Sequence, residues 1–168
     1  MIEVEIRESE GRGLGVFALS PIPSGERIRI VNIEREVTEE QPLGPKDNPD
    51  HAFLSDGKIL LVGEPDRYLN HSCNPNAYVF YCGKDIDLIA RREIGDGEEI
   101  TVDYLINNSG GDRWECKCGS ARCRGRTASS FFELPFAIQC EYYPLLAPWF
   151  VQEHKSRLVN VKRAIGAD

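Results

Sequence analysis

Apolar residues in the N-terminal part of the chain recur at every second position, a period that belongs to strands rather than helices. Ile2, Val4 and Ile6 alternate with Glu3, Glu5 and Arg7, which predicts a half-buried strand. Next, Gly11-Arg12-Gly13-Leu14-Gly15-Val16-Phe17 reads as a glycine-rich turn running into a second apolar strand. A dinucleotide-binding glycine loop would open a helix, and Pro21, Pro23 and Gly25 forbid one here, so a hairpin is expected. Residues 26–37 read as one strand with Ile28, Ile30 and Val31 inward, and residues 38–50, rich in Pro, Gly, Asp and Glu, as a loop. Short apolar runs at 52–54 and 59–62 flank Asp56-Gly57, a type I′ hairpin signal. Residues 77–81 and 87–91 pair across Gly83-Lys84-Asp85, and residues 99–104 form a further strand.

After that the pattern changes. Residues 107–113 have linker composition, and roughly 136–163 show helical character interrupted by Pro144 and Pro148. No internal repeat is present. The chain of 168 residues suits one domain with a small appendage, and 41% hydrophobic with 28% charged residues is ordinary globular composition. The first residues lack a basic segment followed by an apolar core, and no apolar run approaches the ~20 residues of a membrane span. The expectation is an intracellular protein, cytoplasmic or, in a eukaryote, nuclear, with no membrane partner. A net charge of −7 disfavours nonspecific duplex binding and suits a basic partner, although solubilising charge explains it equally simply. The sequons at Asn70 and Asn107 are chance matches without a secretory route.

Two stretches fit no regular element. Arg67-Tyr68-Leu69-Asn70-His71-Ser72-Cys73-Asn74-Pro75-Asn76 gathers turn-forming polar residues between β-like runs, as an exposed loop or a buried hydrogen-bonded site would. Cys116-Lys117-Cys118-Gly119-Ser120-Ala121-Arg122-Cys123 places three cysteines within eight residues. In an intracellular setting such clustering points to zinc rather than disulfides, because a short turn can present several thiolates at once. Three thiolates leave a structural site open. Cys73, His71, Cys82, Cys140, His51 and His154 are the candidates for a fourth ligand, and spacing does not choose among them.

Taken together, these segments resemble the SET-domain family of protein-lysine methyltransferases. Three motifs occur in the family's order: Gly13-Leu14-Gly15-Val16-Phe17, then the stretch 67–76, then Gly97-Glu98-Glu99-Ile100-Thr101-Val102-Asp103-Tyr104. The cysteine cluster looks like the post-SET module that follows such domains, and the likeness covers roughly residues 1–127. The resemblance implies a mainly β fold of small curved sheets around a pseudoknot, in which the Asn-His-Ser-Cys segment and the Asp-Tyr strand are threaded together. It divides the chain into a SET domain (1–109), a zinc-binding post-SET segment (110–128) and a partly helical tail packing on the body (129–168).

The same resemblance implies S-adenosylmethionine as cofactor, held around Gly13, Leu14 and Gly15 and by Asn70 and His71. It implies Tyr104 as the catalytic tyrosine, and Zn2+ bound by Cys73, Cys116, Cys118 and Cys123, leaving Cys82 and Cys140 as free thiols. The substrate would be a lysine-bearing protein or peptide, such as a histone or another basic protein. Two departures bear on specificity. Val102 stands where the family often carries Phe or Tyr, which leaves room for higher methylation or another substrate, and the strand after Gly25 lacks a tyrosine, so a second active-site hydroxyl is missing or comes from elsewhere. Methylation of a small amine and a non-catalytic binding module are the alternatives. His51 reads as a surface-loop histidine rather than a channel residue. Trp114, Phe131 and Phe132 read as packing for a zinc lobe as readily as an adenine stack or a channel wall.

Overall fold

The computed structural model describes residues 2–82 and 85–167. Ten short strands follow in chain order: β1 (Val4–Ser9), β2 (Gly13–Ala18), β3 (Arg27–Ile30), β4 (Ile33–Val37), β5 (Ala52–Ser55) and β6 (Lys58–Val62). After them come β7 (Asn70–His71), β8 (Ala77–Cys82), β9 (Asp85–Ala90) and β10 (Glu99–Val102). They build three small sheets, ordered β1-β2-β10-β7, β3-β9-β8 and β4-β6-β5. The mainly β expectation holds, and among the described residues only short 3-10 turns at 49–51 and 66–68 are helical before residue 131.

Turn chemistry sets the local pairings. The β1–β2 hairpin closes through Gly11 and Gly13, both at positive φ, and pairs Val4 with Ala18 through to Ser9 with Gly13. Between β5 and β6, Asp56 (φ 49°) and Gly57 (φ 73°) form the expected two-residue turn, since a type I′ turn needs positive φ at both positions. β8 and β9 pair as predicted, but Asp85 belongs to β9, opposite Cys82; Gly83 and Lys84 lie outside the described residues.

Three expectations need correction. Ile6 is exposed rather than inward, because β1 is the edge of its sheet and leans its outer face on solvent. Residues 26–37 are two strands in different sheets, and Ile30 is 49% exposed while Ile28 and Val31 are buried. The break falls at Asn32, whose backbone N–H donates to Asp66 Oδ2 (2.9 Å) and whose side-chain amide donates to Glu64 O (2.9 Å). The strand at 99–104 stops at Val102: Asp103 turns the chain by accepting the N–H of Leu105 on its own carboxylate (3.1 Å), and Ile106 N–H bonds Asp103 O (3.1 Å).

There are two cores. Val16, Ile28, Ala77, Leu88, Ile94 and Ile100 fill the space between the sheets. The second core belongs to the tail, whose helices are α1 (Phe136–Tyr142), α2 (Pro148–Glu153) and α3 (Lys155–Ala164). Pro144 falls in a 3-10 turn between α1 and α2, and Pro148 opens α2 at a position where its missing N–H leaves no bond unmade. Phe131, Tyr142, Phe150 and Leu158 enclose Leu105, with Phe132 packed alongside, so Phe131 and Phe132 serve the tail rather than the cysteine lobe. Residues 110–128 carry one isolated bridge, Glu115 with Arg126, and little apolar interior of their own.

Candidate active site

The site begins where β7 runs parallel to β10, pairing Asn70 with Thr101 and His71 with Val102, while Ser72 N–H bonds Val102 O (2.9 Å). This parallel contact brings together the two segments that the resemblance threads through each other. The stretch 67–76 is not an exposed loop: His71, Ser72, Cys73 and Asn76 are all buried. Buried polar groups need partners. Asn76 donates to Glu98 Oε1 (2.9 Å) and Glu99 O (2.8 Å) and accepts from Thr101 N–H (2.8 Å), stitching the stretch to β10.

Asn70 ties the glycine turn to that crossing. Its amide donates to Leu14 O (2.9 Å) and to Glu99 Oε1 (2.8 Å). The Glu99 carboxylate also takes the Ser9 hydroxyl (3.0 Å) and the Arg12 guanidinium. A side chain at Gly15 would run into this carboxylate and the Phe17 ring, so glycine is required there by close approach. Leu14 (41%) is exposed at this corner, and its carbonyl is already engaged.

His71 and Tyr104 meet directly. Tyr104 N–H donates to His71 Nδ1 (3.2 Å), which leaves the ring proton on Nε2, facing Cys73 Sγ at 3.4 Å. Burial, partly opposed by the Asp103 carboxylate and reinforced by Arg124 and Arg12, lowers the His71 pKa to about 4, so the ring is neutral at physiological pH. The Tyr104 hydroxyl donates to Leu69 O (2.7 Å), while the residue as a whole stays 45% exposed. Burial of the phenol pushes its pKa up to about 12. Trp114 stands edge-on to His71 (5.8 Å between centroids) and tilted against Tyr104 (6.1 Å).

Tyr104 lines a cleft of about 430 Å³ together with Val102, Leu69, Tyr78, Tyr81 and Trp114. Two expectations change here. His51, read as a surface residue, lines this cleft because the Pro49–His51 turn leads directly into β5. Residues 107–113 are less a free linker than a wall: Asn107, Asn108, Ser109 and Gly110 line the cleft, and Asn107 adopts a left-handed backbone (φ 66°) and accepts Ala147 N–H (2.6 Å). The strand after Gly25 contributes no tyrosine, while Tyr78 and Tyr81 of β8 line the cleft.

The sulfurs of Cys73, Cys116, Cys118 and Cys123 lie within 4.8 Å of one another, and Cys73 and Cys116 are 3.7 Å apart. Tetrahedral zinc with Zn–S near 2.3 Å spaces its sulfurs by about 3.8 Å, so the donor set fits the ion. Backbone N–H groups point at the sulfurs, from Cys73 to Cys118 and from Arg124 to Cys73, each at 3.4 Å. Burial opposes ionisation of Cys118, yet the Cys73 amide and the Ser120 hydroxyl and amide bring its pKa down to about 6. Cys82 is exposed and Cys140 partly so, both away from the cluster.

Some participants were not singled out from sequence. Glu99 and Asp103 lay inside a quoted motif, and Arg12 and Arg124 adjoined others. Arg124 grips Asp103 with two bonds (2.8 and 3.0 Å), both partners nearly buried. Only the neighbourhood to a motif could have marked them.

Residues 13–105 match the family model for the SET domain. The chain is 42% identical over 142 residues to an H3 lysine-36 specific histone-lysine N-methyltransferase of Mycosarcoma maydis, covering 74% of this chain and 14% of that protein. It spans a fifth or less of the length of such curated relatives. Among solved structures, a Plasmodium falciparum candidate histone methyltransferase is similar at 27% identity and TM-score 0.51, covering 62% of this chain and 94% of that one. The methyltransferase domain of human SETMAR shares the fold, with TM-score 0.60 at 18% identity over 77% of this chain and 59% of that chain. With the family model matching residues 13–105, more than half of the sequence, the chain belongs to the SET-domain family.

Proposed function

We propose that this chain is an S-adenosylmethionine-dependent protein-lysine methyltransferase with a histone or similar basic protein as substrate. One observation carries the reading: the Tyr104 hydroxyl is fixed on the backbone carbonyl of Leu69, beside Asn70, while its ring faces the cleft. Relatives named as histone-lysine N-methyltransferases support it. Asn70, with its amide nitrogen spent on Leu14 and Glu99, keeps its side-chain oxygen as an acceptor for a cofactor ammonium. The exposed apolar faces of Leu14 and Trp114 suit an adenosyl group. S-adenosylmethionine, when bound, supplies an electrophilic methyl, so the protein's own work is alignment and control of the amine.

A lysine must lose its proton first. With a reference pKa of ~10.4, that costs roughly 4–5 kcal/mol near pH 7. The apolar lining of Val102, Leu69 and Phe53 lowers the amine's pKa by desolvation. Tyr104, with its own pKa near 12, stays a neutral hydroxyl and therefore positions rather than deprotonates. Val102 places an aliphatic side chain in the lining where a ring would take up more space, which fits a nitrogen already carrying methyl groups. Cys73, Cys116, Cys118 and Cys123 would hold one Zn2+, which would tie residues 110–128 to the crossing.

Labelled-methyl transfer to histone H3, to a whole-cell lysate and to free amines tests the reading, with mass spectrometry of the products. Labelled lysine in protein is expected. Labelling confined to free amines would favour a small-molecule enzyme, and absent cofactor binding by calorimetry would leave only a binding module.

A further inference from the structure

The turn that carries Tyr104 is held by the C-terminal tail from three separate points. Tyr142, the last residue of α1 and fully buried, directs its hydroxyl at Asp103 Oδ2 (3.2 Å), with Cys73 O at 3.5 Å. Ala147 N–H donates to Asn107 Oδ1 (2.6 Å), and Phe131 N–H donates to Asn108 O (2.8 Å). Between those ties, Leu105 is sealed in the tail's core with Phe131, Tyr142 and Phe150. Residues 103–108 therefore present one face to the cleft and have the other embedded in a different part of the chain.

Asp103 is where this matters. An ionised carboxylate offers about four lone-pair sites. Arg124 fills one on each oxygen, the Leu105 amide fills a second on Oδ1, and the Tyr142 hydroxyl takes the remaining one on Oδ2. With all four sites taken, the carboxylate has no other orientation of comparable energy, and the turn it closes fixes the Tyr104 backbone, whose N–H points at His71.

We propose that the tail is a working part of the site and that Tyr142 is a positioning residue, acting through Asp103 on Tyr104. Tyr142 does not line the cleft, so its influence on the reaction is indirect, and Asp103 is the group of the Tyr104 turn that its hydroxyl meets. The inference rests on the methyltransferase reading for its consequence in rate, but not for its structural content.

Tyr142→Phe removes the hydroxyl and keeps the ring. In the zinc-loaded 168-residue chain, with S-adenosylmethionine and histone H3 as probes, kcat should fall about tenfold while both KM values stay within about twofold, the mark of lost alignment. Amide hydrogen exchange, read residue by residue, should speed up at Tyr104 and Leu105 and remain unchanged in β2, β8 and β9. Unchanged exchange at those two amides in a folded variant overturns the proposal. So does acceleration spread evenly over all strands, or a rise in KM with kcat retained. Should Tyr142→Phe fail to fold, Asn107→Gly removes the Ala147 tie while tolerating the left-handed backbone, and the same two amides must respond. If the unaltered protein methylates nothing, the functional reading fails, and the exchange measurement still decides whether the clamp exists.

Discussion

Tyr104 reaches the cleft because Asp103 ends β10 one residue earlier and turns the chain outward. With its hydroxyl bonded to Leu69 O and a pKa near 12, it offers a neutral oxygen at physiological pH. Tyr104→Phe should therefore lower kcat by about 10²-fold with cofactor affinity nearly unchanged, measured by methyl transfer and calorimetry. Equal turnover in the variant would remove Tyr104 from the role proposed for it. At Val102, restoring a ring should do something different: Val102→Phe is expected to shift products toward fewer methyl groups per lysine, read by mass spectrometry of the labelled peptide, and an unchanged product distribution would show that the ring does not limit the pocket. Tyr104 was legible in the sequence because it closes a motif. Tyr78 and Tyr81 were not, since their arrival in the cleft depends on β8 packing across from residues 102–104, a long-range outcome that no local pattern encodes.

At the scale of elements, the Asn70–Cys73 segment serves the glycine turn, the Tyr104 turn and the cysteine lobe at once. Its polar residues looked like loop in composition, and what distinguished a buried crossing from a loop was the company of the other motifs. The break at Asn32 was illegible for a related reason: apolar positions recur at Ile28, Ile30, Val31 and Ile33 on both sides of it, and only the partners Glu64 and Asp66, distant in sequence, turn the backbone into a second sheet. The cysteine lobe was legible in its ligand spacing, yet it has almost no apolar interior to fold on. The zinc proposed for the four cysteines would supply its order. Cys118→Ser is expected to reduce bound zinc from about one ion per chain to near none and to expose Trp114, seen by metal analysis and tryptophan fluorescence. Retained zinc with unchanged fluorescence would mean that the lobe is built another way.

In the whole molecule, three parts depend on one another, and the joint among them is Glu141 on α1. Its carboxylate takes Arg91, at the end of β9, and Arg122 of the cysteine lobe in two bonds (2.9 and 2.7 Å). Body, lobe and tail thus meet at a single acid. The hydrogen bonds from Arg122, against a smaller effect of burial and aided by the charges of both arginines, hold the Glu141 pKa below its ordinary 4.5. A carboxylate whose pKa is lower in the folded state stabilises the fold above the unfolded value, and that stability disappears as pH falls through the folded value. The side chain is 32% exposed, so solvent screening reduces the contribution to about 0.5–1 kcal/mol. Glu141→Gln should accordingly lower Tm by about 1–4 °C at pH 7. The gap between the two proteins should narrow as pH drops below 4.5 and close once Glu141 is protonated in the fold. Loss of zinc at acid pH would loosen the lobe that carries Arg122 and close the gap by another route, so zinc content is measured at each pH and only points with the ion retained are compared. The gap should also shrink in 1 M salt, where the screening length is about 3 Å. A difference that stays constant from neutral to acid pH would mean that Glu141 contributes by packing rather than by charge.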